Sequence, residues 1–170
     1  ANQTVIRSLE RTVEGMIIGA GEHSASHDLL EGLDVPFKAE LPLLPEGSYD
    51  LARLAEMLKE ARERGLRSIG LSLFWANNET GVLQPWQTLR QLCTESGVPF
   101  VCDATQWMGR LPGKELGVCD YVFASGHKFG APVGIGFLKL PARAAGPIFQ
   151  SLLLGGPQED ARRAGTQNVA

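Results

Sequence analysis

The sequence predicts an α/β protein with a mostly parallel central sheet and helices on both faces. From about residue 16 to residue 124, short apolar runs alternate with stretches whose apolar residues recur at helical spacing. This alternation is typical of strand–helix–strand units, in which parallel strands lie side by side. The 170 residues contain no repeat or low-complexity tract, and 44% of them are hydrophobic. We therefore expect one domain with a single sizeable core.

The first 74 residues carry alternating helix and strand signals. Helices are predicted over 3–13, from Ser24 or Ser26 to about Leu30, and from Ser48 or Asp50 to Gly65. Strands are predicted over 16–20, 35–41 and 68–74. Pro36 lacks an amide hydrogen, so the second of these strands is expected at an edge of the sheet.

The second half of the chain continues the pattern up to a glycine-rich loop. A helix is predicted from Pro85 to Gly97, and strands over 98–102, 121–124 and 134–140. The segment around 111–117 has a weaker signal, and 147–154 is predicted to be a short helix or a connector. The last strand returns from the loop that contains Gly130, Pro132 and Gly134.

Charge and composition exclude several classes of function. The net charge of −3, with acidic and basic residues interspersed, argues against a nucleic-acid partner or an anionic membrane surface. No apolar run approaches the roughly 20 residues of a membrane span, and no signal peptide is evident, so we expect a cytoplasmic protein. Cys93, Cys102 and Cys119 are predicted to be buried, reduced thiols. The three histidines lack zinc-ligand spacing, so no metal site is expected.

Polar residues cluster where four of the predicted strands end. The residues are His23, Asn78, Asp103, Gln106, Ser125, His127 and Lys128. Each has a local explanation: the histidine as a loop residue, the asparagine as a turn former, the aspartate as a helix cap, and the lysine as an ordinary surface cation. Because the carboxyl ends of parallel strands converge on one crevice, their coincidence predicts a single ligand site.

A lysine, a carboxylate, an imidazole and hydroxyl donors together are the groups that pyridoxal phosphate requires. Lysine forms a Schiff base with its aldehyde, and a carboxylate paired with the pyridine nitrogen keeps the ring an electron sink. Hydroxyl, amide and imidazole groups can bind the phosphate and the ring oxygen. The residues at the four strand ends therefore predict a pyridoxal phosphate site.

Four motifs resemble those of a known family and occur in its order over nearly the whole chain. They are Ala76-Asn77-Asn78-Glu79-Thr80-Gly81, Asp103-Ala104-Thr105-Gln106, Ser125-Gly126-His127-Lys128 and Arg163-Ala164-Gly165-Thr166-Gln167-Asn168. The sequence resembles the cysteine desulfurases, the NifS- and IscS-like members of the class V aminotransferases. The resemblance implies the fold of the large domain of type I pyridoxal phosphate enzymes.

The resemblance assigns the reacting groups. It implies that Lys128 is the Schiff-base lysine and that Asp103 pairs with the pyridine nitrogen. It further implies that His23 stacks on the cofactor ring and assists proton transfer.

The resemblance also assigns the groups that hold the cofactor. Asn78 and Gln106 are implied to bind the region of its phenolic oxygen, and Ser125 and His127 its phosphate. In the family a threonine at the position of Thr166 reaches the phosphate of the neighbouring subunit, so a homodimer with composite sites is implied.

The implied reaction converts L-cysteine to L-alanine and leaves a persulfide on a separate enzyme cysteine, from which a sulfur-acceptor protein could take the sulfur for iron–sulfur cluster assembly. Against the family pattern, residues 1–170 correspond to the central part of the large domain, without the N-terminal phosphate-loop segment or the small C-terminal domain. The catalytic cysteine and the arginine for the substrate carboxylate are expected beyond Ala170, and the three cysteines present do not match the nucleophile's motif.

Two alternatives remain open from the sequence. One is a different class V reaction, that of a selenocysteine lyase, a kynureninase-like lyase or an aminotransferase. The other is a non-catalytic binding or assembly fragment that retains only the fold. Trp75 and Trp107, which lie beside the motifs, and the Ala131-Pro132-Val133 segment are less usual for the family and leave the substrate open.

Overall fold

The computed structural model describes residues 1–141 and 149–166. Within this part of the chain, four α-helices are α1 (Asn2–Glu10), α2 (Ser24–His27), α3 (Leu51–Glu63) and α4 (Trp86–Ser96). The strands are β1 (Gly15–Gly19), β2 (Phe37–Leu41), β3 (Ile69–Phe74), β4 (Phe100–Asp103), β5 (Tyr121–Ser125) and β6 (Gly136–Lys139). Two short 3₁₀ helices span Gly113–Val118 and Gly126–Lys128.

The six strands form one sheet in the order β2-β1-β3-β4-β5-β6. The first five are parallel, and β6 pairs with β5 in the antiparallel direction, with Gly136 opposite Ser125. The prediction of a mostly parallel sheet is confirmed, and β2 lies at an edge, as Pro36 indicated. Because β1, β3, β4 and β5 are parallel neighbours, their carboxyl ends lie along the same edge of the sheet.

The core has one layer on each face of the sheet, because side chains alternate along a strand. On β1, Ile17 belongs to the cluster that includes Leu54 and Leu58 of α3. Its neighbours Met16 and Ile18 belong to the cluster formed with α1. All five residues of β1 and all six of β3 are buried. Burying one large apolar side chain contributes about 1.5–3 kcal/mol. Because both faces of these strands are covered, apolar residues are favoured on both, and the strands are continuous apolar runs.

Two helix starts differ in how well the sequence predicts them. The Asp50 side chain accepts a hydrogen bond from the Arg53 amide at 2.9 Å and caps α3, as one of the two predicted candidates. The predicted cap and length of α2 are wrong, because neither Ser24 nor Ser26 caps it and it ends at His27. Instead, His23 Nδ1 accepts from the Ala25 amide at 3.1 Å. Ser26 is buried inside the helix, and its hydroxyl accepts a hydrogen bond from an asparagine of α1.

The predicted strand over 98–102 begins at Phe100 and extends to Asp103. The weak segment around 111–117 forms the 3₁₀ helix Gly113–Val118. Of the predicted helix or connector over 147–154, residues 147–148 lie outside the described residues, and 149–154 contain neither helix nor strand. Among the residues described, none of the helices combines the length and apolar character needed to cross a membrane.

Trp75, directly after β3, contacts both of the other tryptophans of the chain. The rings of Trp75 and Trp86 stack with centroids 5.0 Å apart, and Trp107 meets Trp75 edge-on at 5.3 Å. Trp75 is fully buried, and Trp107 Nε1 donates to the Pro112 carbonyl at 2.9 Å. This tryptophan cluster fixes the two turns that follow β3 and β4.

The three cysteines are free and buried, as predicted. Burial raises the pKa of Cys93 to about 12 and also raises that of Cys102.

Candidate functional site

A cavity of about 320 Å³ opens at the carboxyl edge of the sheet. Seven of the eight residues predicted for the ligand site line it: His23, Asn78, Asp103, Gln106, Ser125, His127 and Lys128. The eighth, Thr166, is exposed and is not among the lining residues. The cavity therefore collects groups that are up to 105 residues apart in sequence (23 to 128).

The strand order explains why these residues meet. His23 follows β1, Asn78 follows β3, Asp103 ends β4, and Ser125 ends β5. These four strands are consecutive neighbours in the sheet. Each strand end therefore contributes polar side chains to the same crevice, in the position where open parallel sheets bind ligands.

Asp103 is a half-buried carboxyl on the wall of the cavity. One of its oxygens, Oδ1, accepts a hydrogen bond from the Thr105 amide at 2.8 Å, so the residue also caps the turn after β4. Burial raises the pKa of Asp103, while hydrogen bonds from Thr105 and the nearby His23 oppose that rise. A cation placed against this carboxyl would favour its charged form.

His23 presents an exposed ring to the cavity from the end of the loop after β1. Because Nδ1 accepts from the Ala25 amide, a neutral ring carries its proton on Nε2. The loop explanation and the site explanation therefore both hold: the hydrogen bond to the backbone fixes the ring, and the ring faces the cavity.

Lys128 ends the short 3₁₀ helix Gly126–Lys128, which follows β5 directly. The backbone of this turn is held from two sides. Gly126 N donates to the Ile135 carbonyl at 2.8 Å, and Arg110 Nη2 donates to the Lys128 carbonyl at 3.0 Å. A Cβ on Gly126 would lie 2.7 Å from the Ile135 oxygen, so only glycine permits this approach. The amine-bearing turn is thus rigidly seated on the loop before β6.

The two adjacent asparagines after β3 have different roles. Asn77 Oδ1 accepts hydrogen bonds from the amides of Glu79 and Thr80, both at 2.8 Å, and thereby closes the turn. Asn78 is exposed and lines the cavity. The turn-forming explanation therefore fits Asn77, and Asn78 is left free for a ligand.

Sequence reasoning missed the apolar part of the lining. Phe74 and Phe123 are buried core residues that also face the cavity, together with Ala76. They belong to continuous apolar strands, so nothing in the sequence separates them from the rest of the core. Glu22, buried directly before His23, was also missed, because a glutamate after a strand is ordinarily exposed.

The donor set suits an organic ligand better than a metal. The cavity is lined by the amine of Lys128, the carboxyl of Asp103, two hydroxyls, two imidazoles and three side-chain amides, and by apolar residues that include Phe74 and Phe123. Within the described ranges, no group of three or more acidic, histidine or cysteine side chains could hold a metal ion. The fold and the cavity together define an α/β protein with a candidate ligand site at the carboxyl ends of its strands.

Comparison with known proteins identifies the family. The aminotransferase class-V family profile matches residues 1–170, so the chain belongs to that family of pyridoxal phosphate-dependent enzymes. The resemblance stated from the four motifs is confirmed.

Curated relatives are cysteine desulfurases. The chain is 41% identical over 127 residues to a cysteine desulfurase of Klebsiella pneumoniae, an alignment that covers 73% of this chain and 29% of the relative. It is 37% identical over 132 residues to cysteine desulfurase NifS of Azotobacter vinelandii, covering 77% and 31%. The chain thus spans about a third of the length of these relatives.

Solved structures show the same fold. The NifS-like protein from Rickettsia africae superposes with a TM-score of 0.83 at 26% identity, covering 99% of this chain and 44% of that one. DndA from Streptomyces lividans superposes with a TM-score of 0.76 at 32% identity, covering 97% and 48%.

Proposed function

We propose that the protein is a pyridoxal phosphate-dependent enzyme of the cysteine desulfurase type, which takes sulfur from L-cysteine and leaves L-alanine. Residues 1–170 supply the central part of its cofactor-binding large domain. The observation that supports this proposal is that the Asp103 carboxyl and the Lys128 amine line one cavity in a chain of this family. The names of the relatives favour this reaction over others in the family.

The residues around the cavity fit pyridoxal phosphate chemically. A half-buried carboxyl matches the basic ring nitrogen, an amine matches the aldehyde, and hydroxyl and imidazole donors match the phosphate. The cofactor, when bound, supplies an electron sink for negative charge that develops at the substrate carbon.

Three residues act on protons and on the ring. Asp103 would hold a proton at the ring nitrogen. The positive charge on that nitrogen would favour the ionised form of the Asp103 carboxyl. Lys128 would hold the cofactor through Nζ, and the same amine would move a proton at the substrate Cα. His23 would stack on the cofactor ring and assist the same proton transfer through Nε2, since its Nδ1 is engaged by the backbone.

The remaining residues orient the cofactor. Asn78 and Gln106 bind the region of its phenolic oxygen, and Ser125 and His127 bind its phosphate. Thr166 lies outside the cavity of its own chain and reaches the phosphate across a homodimer. Fixed donors of this kind hold the reacting groups in line, which lowers the entropic part of the barrier.

The partners follow from this reaction. The substrate is L-cysteine or a related small amino acid, the functional unit is a homodimer, and a sulfur-acceptor protein takes the sulfur toward iron–sulfur cluster assembly. We further propose that the protein works in the cytoplasm, without nucleic-acid or membrane partners.

The test uses the protein in its full natural length, loaded with pyridoxal phosphate. We expect a visible absorption band from the lysine-bound cofactor and release of alanine and sulfide from L-cysteine in the presence of a thiol. Lys128→Ala should remove both, while Lys114→Ala, an exposed lysine on the Gly113–Val118 helix, should keep both.

Three outcomes would contradict the proposal in different ways. An unchanged band in Lys128→Ala would exclude Lys128 as the cofactor lysine. A loaded protein that releases no sulfide would favour another class V reaction, tested with selenocysteine, kynurenine and amino-group acceptors. A protein that binds no cofactor would favour a non-catalytic assembly role.

A further inference from the structure

Glu22 is a buried acidic residue behind the wall of the cavity. It is 8% exposed and lies directly before His23, at the end of the loop that follows β1. It does not line the cavity, yet it bonds to the backbone of Phe74, which does. Glu22 therefore connects the loop that carries His23 to Phe74 at the end of β3 without lining the cavity itself.

Glu22 accepts two hydrogen bonds on one carboxyl oxygen, while its other oxygen is buried without a partner. Oε1 accepts from the Tyr49 hydroxyl at 3.0 Å and also from the Phe74 amide. Oε2 is buried and has no hydrogen-bond partner in the described part of the chain. An ionised carboxylate would leave much of its charge on that unpartnered oxygen, at a high desolvation cost. A neutral acid places its carbonyl oxygen where both donors are and its hydroxyl on the other side.

Within the described part of the chain, the groups that shift the pKa of Glu22 include no cation. The titratable groups that act on it or feel its charge are the Tyr49 hydroxyl, the Asp103 carboxyl on β4 and the Cys102 thiol beside it. None of these three is a cation. Burial raises the pKa of Glu22 well above its usual range, and the negative charge of Asp103 raises it further.

A polar network surrounds the acid and explains how it is held. Tyr49, which is 1% exposed, donates its amide to Gln84 Oε1 at 2.9 Å, and Gln84 Nε2 donates to the Gly47 carbonyl at 3.1 Å. A Cβ on Gly19 would lie 2.2 Å from the Tyr49 hydroxyl, so glycine at the end of β1 makes room for that ring. The loop after β1, the turn at 47–49 and the end of β3 are therefore joined through Glu22.

We propose that Glu22 is a proton-bearing positioning residue, which stays neutral at physiological pH and holds His23 in place beside the Asp103 carboxylate. The part of this inference that concerns the cofactor rests on the proposed function. A neutral Glu22 leaves Asp103 as the one charged carboxylate of the pair and keeps the loop tied to β3. Loss of the proton places a second negative charge in the same buried region and loosens the His23 loop.

The test measures unfolding of the protein without cofactor, so it does not depend on the proposed function. The ordinary pKa of a glutamate is 4.5, and that of Glu22 is raised in the folded protein. At pH values between these two, Glu22 is protonated when folded and ionised when unfolded, so the unfolding equilibrium constant rises about tenfold per pH unit. Glu22→Gln keeps a neutral acceptor for Tyr49 and Phe74 and should lose this part of the pH dependence. The control Glu31→Gln removes an exposed carboxylate of the loop before β2 and should keep the wild-type dependence.

Two further readouts address the proton and the positioning. The infrared band of a protonated carboxyl should be present at pH 7 in the wild type and in Glu31→Gln, and absent from Glu22→Gln. The NMR signals of the His23 ring, assigned with His23→Asn, should stay unchanged in Glu22→Gln and shift in Glu22→Ala. If Glu22→Ala does not fold, Glu22→Asp replaces it, since its shorter side chain cannot reach both donors.

The inference is overturned if Glu22→Gln keeps the wild-type pH dependence of unfolding, or if the infrared band is missing from the wild type. It is also overturned if the His23 ring signals are the same in Glu22→Ala, or in Glu22→Asp, as in the wild type. Failure of the proposed function would appear differently, as absent cofactor binding or sulfide release in a wild-type protein that still shows the band and the pH dependence.

Discussion

Asp103 Oδ1 accepts the backbone amide of Thr105 at 2.8 Å, so the carboxyl that faces the cavity is also held by the turn it caps. This relationship separates the charge of Asp103 from its structural role. In Asp103→Asn the amide oxygen can still accept the Thr105 hydrogen bond, whereas the negative charge is lost. The fold should therefore survive the substitution.

We expect Asp103→Asn to weaken pyridoxal phosphate binding by about 2 kcal/mol or more, roughly thirtyfold, because a buried charge partner of the ring nitrogen is removed. Cofactor titration of the full-length protein measures this affinity. Asp34→Asn, an exposed aspartate before β2, serves as the control and should bind like the wild type. Equal affinity in the two variants would show that Asp103 does not contact the ring.

Gly126→Ala should destabilise the turn that carries Lys128. The added Cβ would lie 2.7 Å from the Ile135 oxygen and 2.9 Å from the Ala131 Cβ, so the backbone must shift. Overpacking of this kind typically costs about 1–3 kcal/mol. Urea unfolding measures the loss against Gly113→Ala, where an added Cβ meets no atom within 4 Å. Coincident midpoints for the two variants would contradict the seating of this turn on the loop before β6.

An ion pair between α2 and β2 should add a small contribution of its own to the loss of stability as pH rises past neutrality. His27 Nε2 lies 2.5 Å from Glu40 Oε2, and this hydrogen bond raises the pKa of His27 above 6.5. The stabilisation is present below that value and is lost as pH rises through the raised pKa. Both side chains are 44–45% exposed, so the effect is about 0.5 kcal/mol.

Glu40→Gln isolates this contribution. The difference in unfolding free energy between the wild type and Glu40→Gln should shrink between about pH 6 and pH 9, and salt should reduce it further. A difference that stays constant over this range would mean that the pair does not titrate. Asp28, 3.5 Å from His27 Nδ1, remains in both proteins and cancels from the comparison.

Thiol reagents should not modify Cys93, Cys102 or Cys119 in the native protein. Cys93 and Cys102 are fully buried, Cys119 is 2% exposed, and burial raises the pKa of Cys93 to about 12, so little reactive thiolate forms near neutral pH. Mass-spectrometric mapping of the labelled thiols should find these three cysteines modified after denaturation and almost unmodified before it. Rapid labelling of the native chain would place at least one cysteine at the surface.

The sequence predicts the sheet well because β1 and β3 are buried on both faces and read as continuous apolar runs. It also predicts that the polar residues after these strands line one cavity, because the carboxyl ends of parallel strands share an edge. It does not predict that Phe74 and Phe123 face a cavity, since a lining residue and a core residue of a strand have the same character. Nor does it predict that Glu22 is buried, because that depends on a tyrosine 27 residues away.

The start of α2 shows a second limit. Serine is the common cap, so Ser24 and Ser26 were the natural candidates, yet a ring nitrogen of His23 performs this function. The side chain of His23 thus lines the cavity and also begins the helix. The general preference for serine at helix caps therefore does not identify the cap of α2.

The tryptophan cluster gives the protein a built-in optical probe. Trp75 lies between Phe74 and Ala76, and Trp107 follows Gln106, so both indoles adjoin residues that line the cavity. Since these rings and Trp86 are all the tryptophans of residues 1–170, the tryptophan emission of this part of the protein comes from one place. A ligand that absorbs in the near ultraviolet should quench that emission as it enters. Fluorescence of the unlabelled wild type can therefore follow occupancy of the cavity in real time.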